Sequence, residues 1–321
     1  MIGIRTPFRV SFAGGSTDIP NFYKKYGGKV VSTSIDKYMY HFIHKFSKKD
    51  IQIKYSITEL VEHTKDIKHP IVREISKIYN VQGLDINSIA DIPKGSGLGS
   101  SSAYTVGLVH GLSIFNKENL NKMQLAEIAS DIEINRLGDP IGKQDHYASS
   151  VGGLNIINFN KDDTVKIKKL RLNEKEIQHL SSSMVLIKYG HSRDATVILS
   201  DQAKKIKSQE NIDNTKSILD LVDPMVSALT NLDIKSIGEL LTENWNYKNK
   251  LSKLISNKKL EQTLTEIINK KGIYGGKLLG AGGNGYLLIV GEPKIVQKLV
   301  NENSVEFNFE KSGTKKILMD S

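Results

Sequence analysis

The sequence predicts an α+β protein of two domains, and three observations carry that expectation. The chain has 321 residues, against roughly 100–200 per domain. Its first third is rich in β-branched and aromatic residues with partial alternation, whereas the stretch from Asp194 to about Lys271 has a mostly helical period. Strands gather ahead of helices instead of alternating with them one for one, which is the order of an α+β chain. The division is placed near residue 175, giving domains 1–175 and 176–321.

Taken in order, Ile4–Ala13, Lys29–Ile35, Tyr38–Phe46 and Ile51–Ser56 read as strands. Ile71–Tyr79 reads as a short helix opened by Pro70, and Gly83–Ile92 as a strand that stops at Pro93. A glycine and serine loop leads into a helix on which Ala103, Val106, Val109, His110 and Phe115 recur near helical spacing. Leu120–Ile134 is a second amphipathic helix, ending near Gly138 and Pro140. Leu154–Phe159, Thr164–Leu170 and Met184–Tyr189 are expected strands, and the helical stretch after them breaks near Pro224 and Asp233. The end returns to short strand and helix segments at Gly276–Leu279, Tyr286–Val290, Pro293–Asn301 and Val305–Phe309.

Composition excludes several classes. With no cysteine there is no disulfide framework, thiolate metal site, iron–sulfur cluster or cysteine nucleophile. No apolar run approaches the roughly 20 residues of a membrane helix, and Met1–Pro7 lacks the apolar stretch of a signal peptide. A cytoplasmic protein with no membrane partner is expected. The net charge of +10 comes largely from lysines in scattered pairs without interleaved aromatics, so no nucleic-acid partner is expected. The positive field suits anionic substrates instead. The eight histidines form no metal-binding pattern: His41 and His44 lie three apart on an expected strand and so face opposite sides, while His146 and His191 lie nearer the segments that carry chemistry.

Those segments are three. Pro93-Lys94-Gly95-Ser96-Gly97-Leu98-Gly99-Ser100-Ser101-Ser102-Ala103 stands between a strand and a helix. Its glycines let backbone approach a ligand, and the free N–H groups of the following helix make an anion site. No lysine precedes the serines, so this is not the G-x-x-x-x-G-K-[ST] loop. Gly280-Ala281-Gly282-Gly283-Asn284-Gly285 contains G-x-G-x-x-G, but a strand-like run comes after it, which rules out a dinucleotide fingerprint and leaves a strand–turn–strand. In the N-terminal stretch Arg5–Asp18, two of the six arginines of a lysine-using chain sit on a strand that runs into Gly14-Gly15-Ser16-Thr17-Asp18.

Together the three segments resemble the GHMP kinases. The first matches P-x-[RK] and its substrate loop, the second P-x-x-x-G-L-G-S-S-[SA]-A, and the third, Lys277 to Gly285, the late glycine-rich loop with Asn284 replacing one glycine. The resemblance covers most of the chain. It implies the two-domain fold of that family, with an N-terminal domain like the second domain of a ribosomal protein and a ferredoxin-like C-terminal domain. It implies ATP held by Pro93, Gly95, Ser96, Gly97, Leu98, Gly99, Ser100, Ser101 and Ser102, and Mg²⁺ held by Ser101 and Glu133. Asp145 corresponds to the catalytic aspartate and Arg9 to the basic residue beside it. Substrate would meet Gly14, Gly15, Ser16, Thr17, Asp18, Gly282 and Gly283.

Within the family the first motif, and Gly190-His191-Ser192-Arg193-Asp194-Ala195, resemble the D-glycero-D-manno-heptose 7-phosphate kinase group. That implies transfer to the anomeric hydroxyl of a sugar phosphate, on the way to nucleotide-activated heptose and surface polysaccharide. Arg193, Lys143 and, after them, Arg5 are the cations offered to the second phosphate. L-Fucose kinase, or another sugar-1-kinase, is the alternative. A nucleotide- or sugar-binding sensor is the non-enzyme alternative, and Asp145, Arg9 and Glu133 speak against it. Thr17-Asp18 speaks against the family's decarboxylase branch. The partners expected are a sugar phosphate and ATP, with room left for a homodimer.

Overall fold

The computed structural model describes residues 1–190, 196–205 and 208–319. Arg193 and His191 lie outside the described residues. β1 (Ile2–Ala13) is buried along nearly its whole length and pairs antiparallel with β2 (Gly28–Lys45). The short α1 (Pro20–Tyr26) lies between them. The sequence suggests two strands where β2 runs unbroken. Its pairing skips Asp36 and Lys37, a bulge at which the strand keeps going while its partners change. Below the bulge β2 pairs with β6 (Leu154–Phe159); above it β2 pairs with β5 (Leu84–Ala90).

β3 (Ile51–Lys54), β4 (Thr58–Val61) and β7 (Val165–Lys169) extend this first sheet. α2 (Pro70–Ile78), α3 (Ser100–Phe115), α4 (Lys122–Asp131) and α5 (Gln144–Val151) cover it. α3 is buried nearly all round, so its periodicity is weak in the sequence although it lies at the centre of the molecule.

α6 (Glu174–Ser182) leads to β8 (Met184–Tyr189) of a second, four-stranded antiparallel sheet. The helices α7 (Thr196–Lys205), α8 (Gln209–Asp220), α9 (Val222–Thr230), α10 (Ile234–Lys250) and α11 (Lys258–Ile268) come next. Both expected breaks fall at their boundaries: Pro224 is in the first turn of α9, and Asp233 caps α10 through the Ser236 N–H. β9 (Ile273–Leu278) and β10 (Gly285–Gly291) form a hairpin beside β8. After α12 (Pro293–Val296) comes the short β11 (Ser304–Val305). β12 (Lys315–Met319) then crosses back to pair with β1 on the first sheet. One apolar core runs from Phe8 and Ile86 through Leu108 to Leu186, Leu241 and Leu288, uniting both sheets. No helix among the described residues is long and apolar enough to cross a membrane.

Candidate active site

The loop between β5 and α3 is pinned from below by β1. The Arg9 backbone N–H donates to the Leu98 carbonyl at 3.0 Å, and the Leu98 side chain is fully buried. Gly99 enters α3 in the left-handed region, and no side chain caps the helix, which leaves the first N–H groups of a 16-residue helix facing the loop. Arg9 is itself buried. Its Nε and Nη2 donate to the two oxygens of Asp145 at 2.5 and 2.6 Å, and its Nη1 donates to the Gly97 carbonyl at 2.7 Å. This bidentate fork fixes the carboxylate of Asp145, in the first turn of α5, against the phosphate-type loop.

Asp18 is buried at 2% exposure, and its carboxylate accepts from the Ser16 N–H, the Gln144 N–H and the Gln144 side chain at 3.1, 3.0 and 3.3 Å. Gly142 must be glycine, because a β-carbon there would lie 1.9 Å from the Asp18 oxygen. Burial pushes the Asp18 carboxyl up to about 6; the Gln144 N–H opposes this, and Asp145 adds to it. The expected sugar-binding aspartate is thus also a brace for the start of α5. Thr17 is fully buried and locks the turn: its hydroxyl donates to the Gly14 carbonyl at 2.7 Å and accepts from the Lys29 N–H at 3.1 Å.

Glu133 lies on a five-residue π-helical turn, Ile132–Arg136, that continues α4. Such widened turns recur at functional sites. The Ser101 hydroxyl donates to one Glu133 oxygen at 2.5 Å, and the Ser102 hydroxyl to the other at 3.1 Å. His146 Nε2 lies 2.5 Å from that second oxygen, in a pair with no exposure at either end. Burial opposes the charge of Glu133, but the imidazole and hydroxyls outweigh it and hold its carboxyl below the usual range. Ser101 Oγ and Glu133 Oε1 converge at the mouth of the loop. These are oxygen donors of the kind a hard divalent cation takes. The described residues contain no cluster of three acidic or histidine ligands.

A model of the GHMP kinase N-terminal domain matches residues 63–153, and a model of the GHMP kinase C-terminal region matches residues 225–304; together they take in more than half of the chain. The chain belongs to the GHMP kinase family. A D-glycero-alpha-D-manno-heptose 7-phosphate kinase of Campylobacter jejuni is 28% identical, with 98% of each chain covered. A mevalonate kinase of Methanocaldococcus jannaschii is 30% identical over 70% of this chain and 67% of its own. The crystal structure of a D-glycero-D-manno-heptose 1-phosphate kinase from Bacteroides thetaiotaomicron superposes at a TM-score of 0.80 and 24% identity, with 100% of each chain covered.

The two halves of this GHMP kinase meet at glycine. A β-carbon on Gly280 would lie 2.4 Å from the Gly97 α-carbon, and one on Gly97 would lie 2.5 Å from the Leu279 carbonyl. Gly280, in the β9–β10 turn, therefore reaches the loop, and so does Gly285, where a β-carbon would lie 2.7 Å from the Ser96 carbonyl oxygen. Gly282 and Gly283 do not reach it: the Gly283 N–H donates to the Ile255 carbonyl at 2.7 Å, and Gly282 packs on the same residue. Lys143 pairs with Asp163 at 2.6 Å. Arg5 lies over the Tyr38 ring at 4.1 Å.

Sequence reasoning missed two cations and gave His146 little weight. Lys277 is buried, its ammonium donating to the Phe12 carbonyl at 2.9 Å and to Asn244 at 2.7 Å. Burial and the neighbouring Lys248 and Arg9 push its pKa well below the usual range. Lys248, one turn beyond Asn244 on α10, donates to the Gly280 carbonyl. Only the place of Lys277 at the head of the third motif signalled either of them.

Proposed function

We propose that this GHMP kinase is an ATP- and magnesium-dependent sugar kinase. In this reading it transfers a phosphoryl group to the anomeric hydroxyl of D-glycero-D-manno-heptose 7-phosphate and makes the 1,7-bisphosphate. The observation that carries the kinase chemistry is the Arg9–Asp145 fork packed against the loop at Gly97 and Gly99. The sugar phosphate rests on the first motif and on the Campylobacter jejuni relative, which is similar along nearly its whole length.

Bound nucleotide would supply the phosphoryl group, and bound magnesium would neutralise charge on its oxygens. The loop from Pro93 to Ser102 and the open start of α3 would hold the phosphates, with Ser101 and Glu133 holding the metal. Asp145 accepts the proton of the acceptor hydroxyl on a carboxylate oxygen. The Arg9 guanidinium pairs with both oxygens of that carboxylate and fixes its direction. The turn from Gly14 to Asp18 forms the acceptor side. We place the change from nucleotide half to C-terminal half near residue 175.

The test is ADP release with a panel of heptose 7-phosphate, L-fucose, galactose and mevalonate, with the product read by phosphorus NMR. The expected outcome is ADP with heptose 7-phosphate and a new anomeric phosphate. Release with L-fucose alone would assign the fucokinase reading instead.

A further inference from the structure

In this site Arg9 is held from three sides. Its three nitrogens are committed to both oxygens of Asp145 and to the Gly97 carbonyl. Three of its five N–H donors are used there, which leaves two, in directions the fork fixes. Phosphoryl transfer nevertheless spreads negative charge over the oxygens of the moving group and needs donors there.

Lys248 is a second cation placed to add donors there. It is carried by α10, on the same helix face as Asn244, four residues earlier. The ammonium donates to the Gly280 carbonyl, in the turn that touches Gly97 of the phosphate-type loop. Arg9, Asp18 and Asp145 are within its electrostatic reach, and the neighbouring Lys277 is tied to Asn244 and to Phe12. One hydrogen bond to Gly280 leaves two of the ammonium's three N–H donors. Half-buried between two carboxylates and two other cations, it is placed as a charge-bearing donor. Burial and Arg9 lower its pKa to about 8, against the pull of Asp18 and Asp145.

We propose that Lys248 is a second cation, beside Arg9, that contacts the transferring phosphoryl group, brought to the junction of the two glycine turns by the C-terminal half. This rests on reading the site as that of a nucleotide-dependent kinase. In the step itself the acceptor oxygen bonds to phosphorus as the bond to the leaving oxygen breaks. The electron pair leaves with that oxygen, and the hydroxyl proton passes to Asp145. Lys248 keeps its protons and only donates hydrogen bonds to the equatorial oxygens.

The test compares binding of ADP and of β,γ-imido-ATP, each with magnesium, by calorimetry on the full chain. Lys248→Met should lose about tenfold or more in affinity for the triphosphate analogue, while ADP affinity stays within about threefold, since only the former carries the group Lys248 meets. Its kcat should fall roughly 10²–10³-fold, the effect of removing one donor to a charged transition state. Lys248→Gln can still donate to Gly280 but carries no charge, so it should show the same selective loss; it also serves if the Met variant does not fold. An unchanged preference for the analogue over ADP would overturn the proposal. So would recovery of that preference in Lys248→Gln, or equal loss of both nucleotides along with thermal stability, because each describes a tie to Gly280 alone. If wild type turns over no heptose 7-phosphate, the substrate reading falls, and the two nucleotide affinities still decide the role of Lys248.

Discussion

Two glycine-rich turns of nearly the same composition do opposite work in this molecule. The turn at Gly95–Gly99 feeds a helix, so its backbone ends in unpaired N–H groups beside Asp145. The turn at Gly280–Gly285 feeds a strand, and its N–H groups are drawn inward, with Gly283 donating to Ile255. Glycine permits close approach in both. The element after the glycines, helix or strand, decides whether that approach serves a ligand or a packing contact. The second turn touches the first at its two ends, Gly280 against Gly97 and Gly285 against Ser96.

The largest expected effect tests the first turn. If it is one wall of a reaction site, Asp145→Asn should lower kcat by roughly 10²–10⁴ while nucleotide affinity and thermal stability stay near wild type. Titration and turnover on the same preparation decide it, and unchanged turnover would remove Asp145 from the reaction.

The second turn is probed by a pair of variants. Gly280→Ala forces a β-carbon onto the Gly97 backbone at positive φ, so it should cost roughly 2–4 kcal/mol and weaken nucleotide binding. Gly283→Ala meets only the tip of Ile198 besides its own positive φ, and about 1 kcal/mol with no change in nucleotide affinity is expected. Urea unfolding and calorimetry on both would show whether the division between chemistry and packing falls between these two residues.

An effect confined to acid pH concerns Asp18, which braces α5 beside the first turn. Folded, its carboxyl holds a proton up to about pH 6, whereas an ordinary aspartate releases it near about pH 4. The native state therefore binds more protons in that window, and the stability due to Asp18 is lost as pH rises through it. Wild type should fall relative to Asp18→Asn by on the order of 2 kcal/mol between pH 4 and 6. Urea midpoints at three pH values measure the difference, and parallel curves would mean the buried carboxyl titrates normally.

How much of this is legible in the sequence depends on distance along the chain. The phosphate-type loop, the turn at Thr17–Asp18 and the strand after Gly285 can be read because local order sets them: strand, turn residues, then helix or strand. The pairing of Glu133 with His146 cannot, because it needs the π turn and α5 to meet. Lys248 looks like any surface lysine, since its burial comes from packing of α10 against the β9–β10 turn. Gly282 and Gly283 are expected at the substrate, but only the tertiary course of the hairpin shows them turned toward Ile255. Asp18 reads as a sugar ligand, and its three N–H donors become visible only once Gln144 is in place. β12 escapes notice altogether, because a five-residue strand with exposed side chains carries little pattern of its own.

That last strand has a consequence for how the chain is made. β1 comes early in synthesis, yet the Ile2–Arg5 part of one of its edges is paired by residues 315–319, which come after the whole second sheet. Until they emerge, the nascent first sheet offers a row of open N–H and C=O groups to any neighbouring chain. Closure is a contact of very long sequence separation and therefore slow. A first half that folds ahead of the rest keeps this part of its rim bare until Lys315–Met319 have been added.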